Sequence, residues 1–108
     1  MTRNTGFSFL RRLLRRSQSA PPEERACAHL GEIRDVTPNS DGCEACRQSG
    51  DTWVNLRLCM TCGNVACCDD SKNRHARKHA QAAEHPIIRS FVPGESWMWC
   101  YVEEVPVA

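Results

Sequence analysis

The stretch RLCMTCGNVACCDDSKNRHARKHA, residues 57–80, decides the fold of this chain because six cysteine and histidine side chains crowd into it. From Cys59 to His79 it reads C-x2-C-x12-H-x3-H, the spacing of a DNA-reading C2H2 zinc finger. Two further cysteines, Cys67 and Cys68, lie inside the loop of that motif. The question is which of these side chains would share a metal ion.

The C2H2 interpretation places Cys59, Cys62, His75 and His79 on one zinc ion. Such a finger has almost no core besides its metal, so two positions of its loop must carry large apolar side chains. Here those positions hold Ala66 and Lys72. The helix positions that such fingers use on bases also lack a basic pattern. The sequence therefore argues against a base-reading finger.

The composition favours metal ligands over disulfides. A chain of 108 residues gains only a marginal core, and its eight cysteines and four histidines are the residues able to reinforce it. Two C-x2-C pairs followed by histidines suit a tetrahedral zinc ion, whereas disulfides would leave the histidines without a role. No signal peptide and no apolar run of membrane-spanning length is present, so we predict a reducing, cytoplasmic location.

Charge divides the chain into two parts. Residues 1–26 carry six arginines against two acids, whereas residues 27–108 carry eight lysines and arginines against eleven acids, a formal charge of −3. We predict a basic, disordered N-terminal extension over residues 1–26, capable of weak contact with a membrane surface, and one domain over residues 27–108. The acidic domain predicts no nucleic-acid partner, because duplex DNA would be repelled.

Four regular elements are predicted in the domain. Residues 53–59 alternate as a strand, residues 73–85 have the composition of a helix that Pro86 ends, and residues 87–91 and 97–102 form two strands joined by a turn. Four short polar residues could cap the start of the helix: Asp69, Asp70, Ser71 and Asn73.

The order of the chemical landmarks resembles the ubiquitin-hydrolase-type (UBP) zinc finger, in particular its small stand-alone bacterial members. The resemblance covers residues 27–103 and rests on Cys27-x-His29, Cys43-x2-Cys46, Trp53, Cys59-x2-Cys62-Gly63, Cys67, His75-x3-His79, His85-Pro86 and Trp97 with an aromatic strand after it. It implies an α+β fold, a small cross-braced domain stabilised by zinc, with a short antiparallel sheet and one main helix.

The resemblance also implies interleaved metal sites. One zinc site would consist of Cys43, Cys46, Cys67 and His75. A second would consist of Cys59, Cys62, His79 and His85. The family's third site pairs a Cys-x-His with a late C-x2-C, and this chain lacks that pair, because the corresponding positions hold Met98 and Tyr101.

Counting the ligands suggests how a third site could be completed. Twelve cysteines and histidines are enough for three tetrahedral sites, and the two sites above leave Cys27, His29, Cys68 and Cys100. We therefore favour three zinc ions per chain. The alternative is two ions, with Cys68 acting only as a small buried apolar residue.

The family typically binds the free C-terminal tail of ubiquitin in an aromatic pocket, and the matching aromatic residues here are Trp53, Trp97 and Trp99. The family's carboxylate-binding arginine is replaced by Asp69, so we expect no binding of ubiquitin itself unless Arg74 or Arg89 takes over. The sequence thus predicts a non-catalytic module that binds the C-terminal tail of a protein. A purely structural or redox-responsive zinc protein is the alternative.

Overall fold

The computed structural model describes residues 27–107 of the chain; the predicted N-terminal extension lies outside these residues. Within them the fold is α+β, as the sequence predicted, with one five-stranded antiparallel sheet, two α-helices and a 3-10 turn at Leu30–Glu32.

The sheet has the strand order β2-β1-β3-β4-β5, so consecutive strands are neighbours except where β3 pairs with β1. Its strands are β1 at Leu56–Cys59, β2 at Val65–Cys67, β3 at Ile87–Ser90, β4 at Met98–Cys100 and β5 at Val105–Val107.

Two helices connect to this sheet. Helix α1 spans Glu44–Ser49 and ends at Gly50, whose φ of 79° is the left-handed conformation that glycine adopts readily. Helix α2 spans His75–Ala83, an alanine-rich stretch, and is the longer of the two. It ends at Glu84, also left-handed, directly before His85 and Pro86. Helix α2 contacts β1 and β2, and α1 contacts β2.

The interior contains two small apolar clusters. One contains Cys43, Cys46, Ala66, Cys67 and Ala76, with Trp53 and Leu56 packed against it. The other contains Cys27, Ile87, Cys100 and Val105, with four partly buried apolar residues around it. Five of these nine buried residues are cysteines, so apolar burial and candidate metal ligation depend on the same side chains.

The predicted helix and strands are found, with shorter bounds, but the predicted helix cap is wrong. Arg74 occupies the N-cap position with φ 50°, and no side chain caps the helix. The polar residues before it have other partners. Ser71 Oγ accepts a hydrogen bond from the backbone N–H of Val54, and Asn73 Nδ2 donates to Asp51.

Among the described residues, no helix is long and apolar enough to cross a membrane.

Candidate functional site

Three thiols and one imidazole converge between α1, β2 and the start of α2; we call this the first group. Its members are Cys43, Cys46, Cys67 and His75. The Nδ1 atom of His75 lies 3.4 Å from two of the sulfur atoms and 3.5 Å from the third. All three thiols are fully buried. The backbone N–H of His75 donates to Cys67 Sγ at 3.1 Å.

A second group lies between the end of β1 and the C-terminal half of α2. It contains Cys59, Cys62, His79 and His85. Cys59 Sγ lies 3.6 Å from Nδ1 of His85, and Cys62 Sγ lies 3.3 Å from Nε2 of His79. The two imidazole rings meet edge to face with centroids 5.5 Å apart.

Both groups have the dimensions of a tetrahedral zinc site. Bonds of about 2.0–2.3 Å from zinc to nitrogen and sulfur place neighbouring ligand atoms about 3.3–3.8 Å apart. The distances within the first group run from 3.4 Å to 3.8 Å, and the two in the second are 3.3 Å and 3.6 Å. Thiolate and imidazole are the donors that zinc prefers, so the side chains present fit this ion.

Helix α2 supplies one histidine to each of these groups. His75 lies with Cys43, and His79 lies with Cys59 and Cys62. The C2H2 interpretation requires the two histidines to share an ion, and the structure separates them.

A third group differs from the one that ligand counting suggested. It contains Cys27, His29, Cys100 and Glu103, all with ligand atoms within 4.8 Å of one another. Glu103 stands where Cys68 was expected. The carboxylate of Glu103 lies 2.9 Å from His29 Nδ1 and 3.0 Å from Cys100 Sγ.

Cys68, predicted as a ligand of the third site, lies apart from the third group. Cys68 directly follows Cys67, and adjacent residues of an extended chain point to opposite sides. With Cys67 in the first group, Cys68 faces away, and its Sγ lies 3.5 Å from Ser71 Oγ. It is buried beside a surface groove and belongs to none of the three groups.

That groove, which we call the aromatic groove, has a volume of about 200 Å³. Three aromatic side chains, which alternate along β4 and the residues flanking it, line the groove: Trp97, Trp99 and Tyr101. Trp97 is 45% exposed, so its ring is accessible from solvent. The other lining residues are Arg57, Cys68, Asp69, Asp70 and Ile88.

Trp53, the third expected pocket residue, is not part of the groove lining. It packs against the apolar cluster around the first group, and the guanidinium of Arg47 lies 5.5 Å from its ring centroid. Tyr101 takes the third aromatic position instead. The sequence contained this signal, because Tyr101 shares the alternation of Trp97 and Trp99.

Two arginines stack on the aromatic rings of the groove. Arg57 lies 4.6 Å from the ring centroid of Trp97, and Arg77 lies 4.7 Å from that of Tyr101. Arg77 is bound by Asp69 through three hydrogen bonds of 2.6–3.1 Å. This carboxylate raises the pKa of Arg77 above its usual value. Burial, reinforced by the charge of Asp69, raises the pKa of Tyr101 to about 12.

Arg57 has no such partner. Within residues 27–107, no carboxylate lies within ion-pairing distance of its guanidinium. One of its N–H groups donates to the carbonyl oxygen of Leu56 at 3.0 Å, and within residues 27–107 its other N–H groups have no hydrogen-bond acceptor.

The two arginines that the sequence offered as substitutes lie elsewhere. Arg89 pairs in register with Leu58 and Met98, and its side chain lines a separate cavity of the sheet together with Asp41 and Glu95. Arg74 is exposed at the N-cap of α2 and does not line the groove.

A five-stranded sheet, one main helix and interleaved cysteine and histidine groups define a small zinc-binding module of the cross-braced class. The family model described as "Zn-finger in ubiquitin-hydrolases and other protein" (zf-UBP) matches residues 43–108, and the chain belongs to this family. It is also similar to a protein from Rhodopseudomonas palustris known from a solution NMR structure. The two are 52% identical in sequence with a TM-score of 0.69, over 77% of this chain and 81% of that one.

Proposed function

We propose that this chain is a non-catalytic protein-interaction module of a reducing, cytoplasmic environment, and that its aromatic groove binds the C-terminal tail of another protein. The observation that carries the proposal is the guanidinium of Arg57, which no carboxylate of residues 27–107 pairs with, stacked on the half-exposed ring of Trp97. A groove with aromatic walls and a cation that no described carboxylate neutralises suits an extended peptide ending in a carboxylate.

Arg57 is the anchor in this proposal. Its planar fork can donate two parallel hydrogen bonds to a carboxylate, and the ring of Trp97 holds the fork in place. Arg77 stacks in the same way but is already bound by Asp69. In the family, the carboxylate-binding arginine lies two residues after the zinc-binding cysteine, a position that Asp69 occupies here. In this proposal Arg57 of β1 takes over the role of that arginine.

The carboxylate of Asp69 restricts the partner. It lies on the groove wall and would repel a ligand carboxylate that approached the family's usual position. We therefore expect the partner to be the flexible tail of a ubiquitin-like or other protein, and not ubiquitin.

Zinc holds this groove in shape. We propose three ions per chain, with the first and second groups forming closed four-ligand sites and a third ion at the third group. Cys68 is left as a buried apolar residue of the groove. Because every described histidine belongs to one of the groups, none is left to act as a general base.

Binding can be measured with the peptide tetraglycine, which carries a free carboxylate and no side chains. Titration into the protein should change tryptophan emission, because two of the three tryptophans line the groove. Amidation of the peptide terminus should weaken binding, since it removes a charge-assisted hydrogen bond worth about 1.5–3 kcal/mol.

Two matched pairs of variants locate the binding site. Arg57→Gln should lose binding and Arg47→Gln should not, because Arg47 stacks on Trp53 outside the groove and is paired with Glu44. Trp97→Ala should likewise abolish binding, whereas Trp53→Ala should retain it as long as the fold survives. Binding that follows Trp53 or Arg47 would place the site elsewhere. No binding of either peptide would support a purely structural protein.

A further inference from the structure

The turn between β4 and β5 brings a carboxylate into a group of candidate metal ligands. Glu104 adopts φ 58°, and its backbone N–H donates to the carbonyl oxygen of Cys100 at 2.8 Å, which closes the turn. As a result the side chain of Glu103 folds back over Cys100, three residues before it, while Glu104 faces solvent.

The remaining members of this third group come from the start of the described chain. His29 lies 71 residues before Cys100 in sequence, yet its Nδ1 atom is 3.7 Å from the sulfur of Cys100 and 3.9 Å from that of Cys27. Neither Cys27 nor His29 lies within the 43–108 range of the family match. Both thiols are buried, whereas His29 and Glu103 have side chains that are 30% and 27% exposed.

We propose that Glu103 is a metal ligand, and that the third group is a mixed zinc site of two thiolates, one imidazole and one carboxylate, whose ion exchanges more readily than the other two. This inference rests on the third ion of the proposed function. It names Glu103 as the fourth ligand, a position for which ligand counting had suggested Cys68. The site then differs from the first two groups in having a carboxylate ligand.

The exchange property follows from the donor set. Zinc is a borderline-soft ion that binds thiolate and imidazole strongly, and a carboxylate oxygen is a harder donor. The first group offers three buried thiolates, whereas the third offers two thiolates and two partly exposed side chains. The second group also has two thiolates, and its Cys62 is exposed, so there the difference is the fourth donor: an imidazole in the second group and a carboxylate in the third. We therefore expect the third ion to exchange first because its carboxylate is the harder, weaker donor for zinc.

Release of this ion would act on one segment of the chain. Residues 27–29 contact the sheet through the side chains of this group. The residues that follow them are held by hydrogen bonds instead. Arg34 donates from its backbone to the carbonyl oxygen of Met60, and Thr61 Oγ1 donates to that of Glu32. Loss of the third ion should free the segment before Leu30 and leave the aromatic groove intact.

The competing interpretation makes Glu103 only a hydrogen-bond acceptor for His29 and Cys100. The substitution Glu103→Gln distinguishes the two, because an amide oxygen still accepts hydrogen bonds but is a poor zinc ligand. Glu104→Gln is the matched control, since it makes the same charge change one residue later. Glu103→Cys offers a third thiolate in the same turn.

The experiment counts zinc ions by native mass spectrometry of the full chain while a chromogenic chelator is added. The unaltered protein and Glu104→Gln should hold three ions and release one of them before the others. Glu103→Gln should hold two, with affinity for a third reduced by more than about 100-fold, beyond what loss of an outer-sphere hydrogen bond costs. Glu103→Cys should retain three and release the third more slowly.

Cobalt substitution gives a readout that depends on the ligands themselves. The thiolate-to-cobalt absorption should increase in Glu103→Cys by the amount that one additional cobalt–thiolate bond contributes. In Glu104→Gln it should remain at the native level. Three ions in Glu103→Gln, released at the native rate, would show that Glu103 is not a ligand. Two ions in the unaltered protein would instead contradict the proposed third ion altogether, and with it this inference.

Discussion

At Gly63 the chain passes so close to the loop before α1 that there is no space for a side chain. A Cβ atom built there would lie 2.2 Å from the backbone oxygen of Thr37, and the φ of 84° is itself unfavourable for other residues. Gly94 has nearly the same φ, 87°, but nothing within 4 Å of its Cβ position.

These two glycines allow a controlled prediction. Gly94→Ala should lower the free energy of unfolding by about 1–2 kcal/mol, the cost of the left-handed conformation alone. Gly63→Ala should cost clearly more, because the backbone of Thr37 must move as well, and Gly63 follows a residue of the second group. Urea unfolding in excess zinc would measure both values. Equal losses would show that the contact with Thr37 relaxes freely.

The pair formed by Asp69 and Arg77 leads to a second prediction. Asp69→Asn should cost little stability, about 0.2–1 kcal/mol, because both side chains are about one-third or more exposed. The same change should strengthen binding of the carboxylate peptide, since it frees Arg77 as a second cation and removes a repelling charge. Peptide titration of the single variants and of the double variant with Arg77→Gln would measure this.

The double variant supplies the control. Without Arg77, removal of the Asp69 charge should give a smaller gain in affinity than it gives in the native background. Asp69→Arg should also strengthen binding, because it places a cation where the family has one. Weaker binding in Asp69→Asn would mean that the carboxylate helps to hold the ligand.

The residues that sequence reasoning missed or misplaced depend on a turn, in the case of Glu103, or on strand pairing, in the case of the aromatic residues. Glu103 is one of thirteen acidic residues, and its only signal was a spacing of three from Cys100. Trp53 and Trp97 look equivalent in sequence, but only the alternation after Trp97 is continued by a second and a third aromatic residue. Strand pairing decides on which face of the sheet each ring lies, and a single sequence does not specify that pairing.

Among the elements, helix α2 is the one that joins two candidate sites. His75 and His79 lie four residues apart on one face, and they belong to different groups. Folding of the helix therefore orders a ligand of both sites at the same time.

This arrangement predicts which double variants are additive. Cys43→Ala and His75→Ala should each remove the ion of the first group, and together they should cost little more than either alone. Cys43→Ala with Cys59→Ala should remove two ions and add nearly in full. Zinc stoichiometry and unfolding free energy would report both. If Cys59→Ala, and not Cys43→Ala, proved non-additive with His75→Ala, the C2H2 pairing would be correct.

The elements that sequence predicted are those with enough residues to show alternation, a helical composition or an apolar run. Helix α2 and strands β1, β3 and β4 were found in this way, although each is shorter than predicted. The missed elements are β2, α1 and β5, which have three, six and three residues. None is long enough to show a period, and each is held by a neighbour: α1 by the first group, β2 by β1, and β5 by β4.

For the molecule as a whole, metal and folding should be inseparable. Five of the nine residues of the two apolar clusters are cysteines of the three groups, so removal of the metal leaves little to hold the sheet. Binding at a closed zinc site contributes about 10–16 kcal/mol near neutral pH in small zinc-dependent peptides.

We therefore predict that strong chelation unfolds the protein and that added zinc refolds it. The near-ultraviolet circular dichroism of the tryptophans should disappear with chelator and return with zinc, provided that a thiol reductant is present. Mild chelation, by contrast, should remove the third ion while this signal persists. A metal-free protein that still unfolds cooperatively would contradict the central role assigned to zinc.

Strand β5, one of the two outer strands of the described sheet, has a further consequence, which concerns how copies of the protein meet. The backbone N–H of Ser90 donates to the oxygen of Trp97 and that of Tyr101 donates to the oxygen of Pro86, so the backbone groups of Trp97 and Tyr101 face β3. Backbone groups alternate in direction along a strand, so the N–H and C=O groups of Trp99 also face β3 and not β5. Pro106 lies opposite Trp99 in β5, so its backbone groups point away from β4, toward the outer edge of β5. The free edge of β5 thus lacks an N–H donor at its central residue. An approaching strand from a second copy cannot form a continuous ladder there, which protects the β5 side of this small sheet from edge-to-edge pairing.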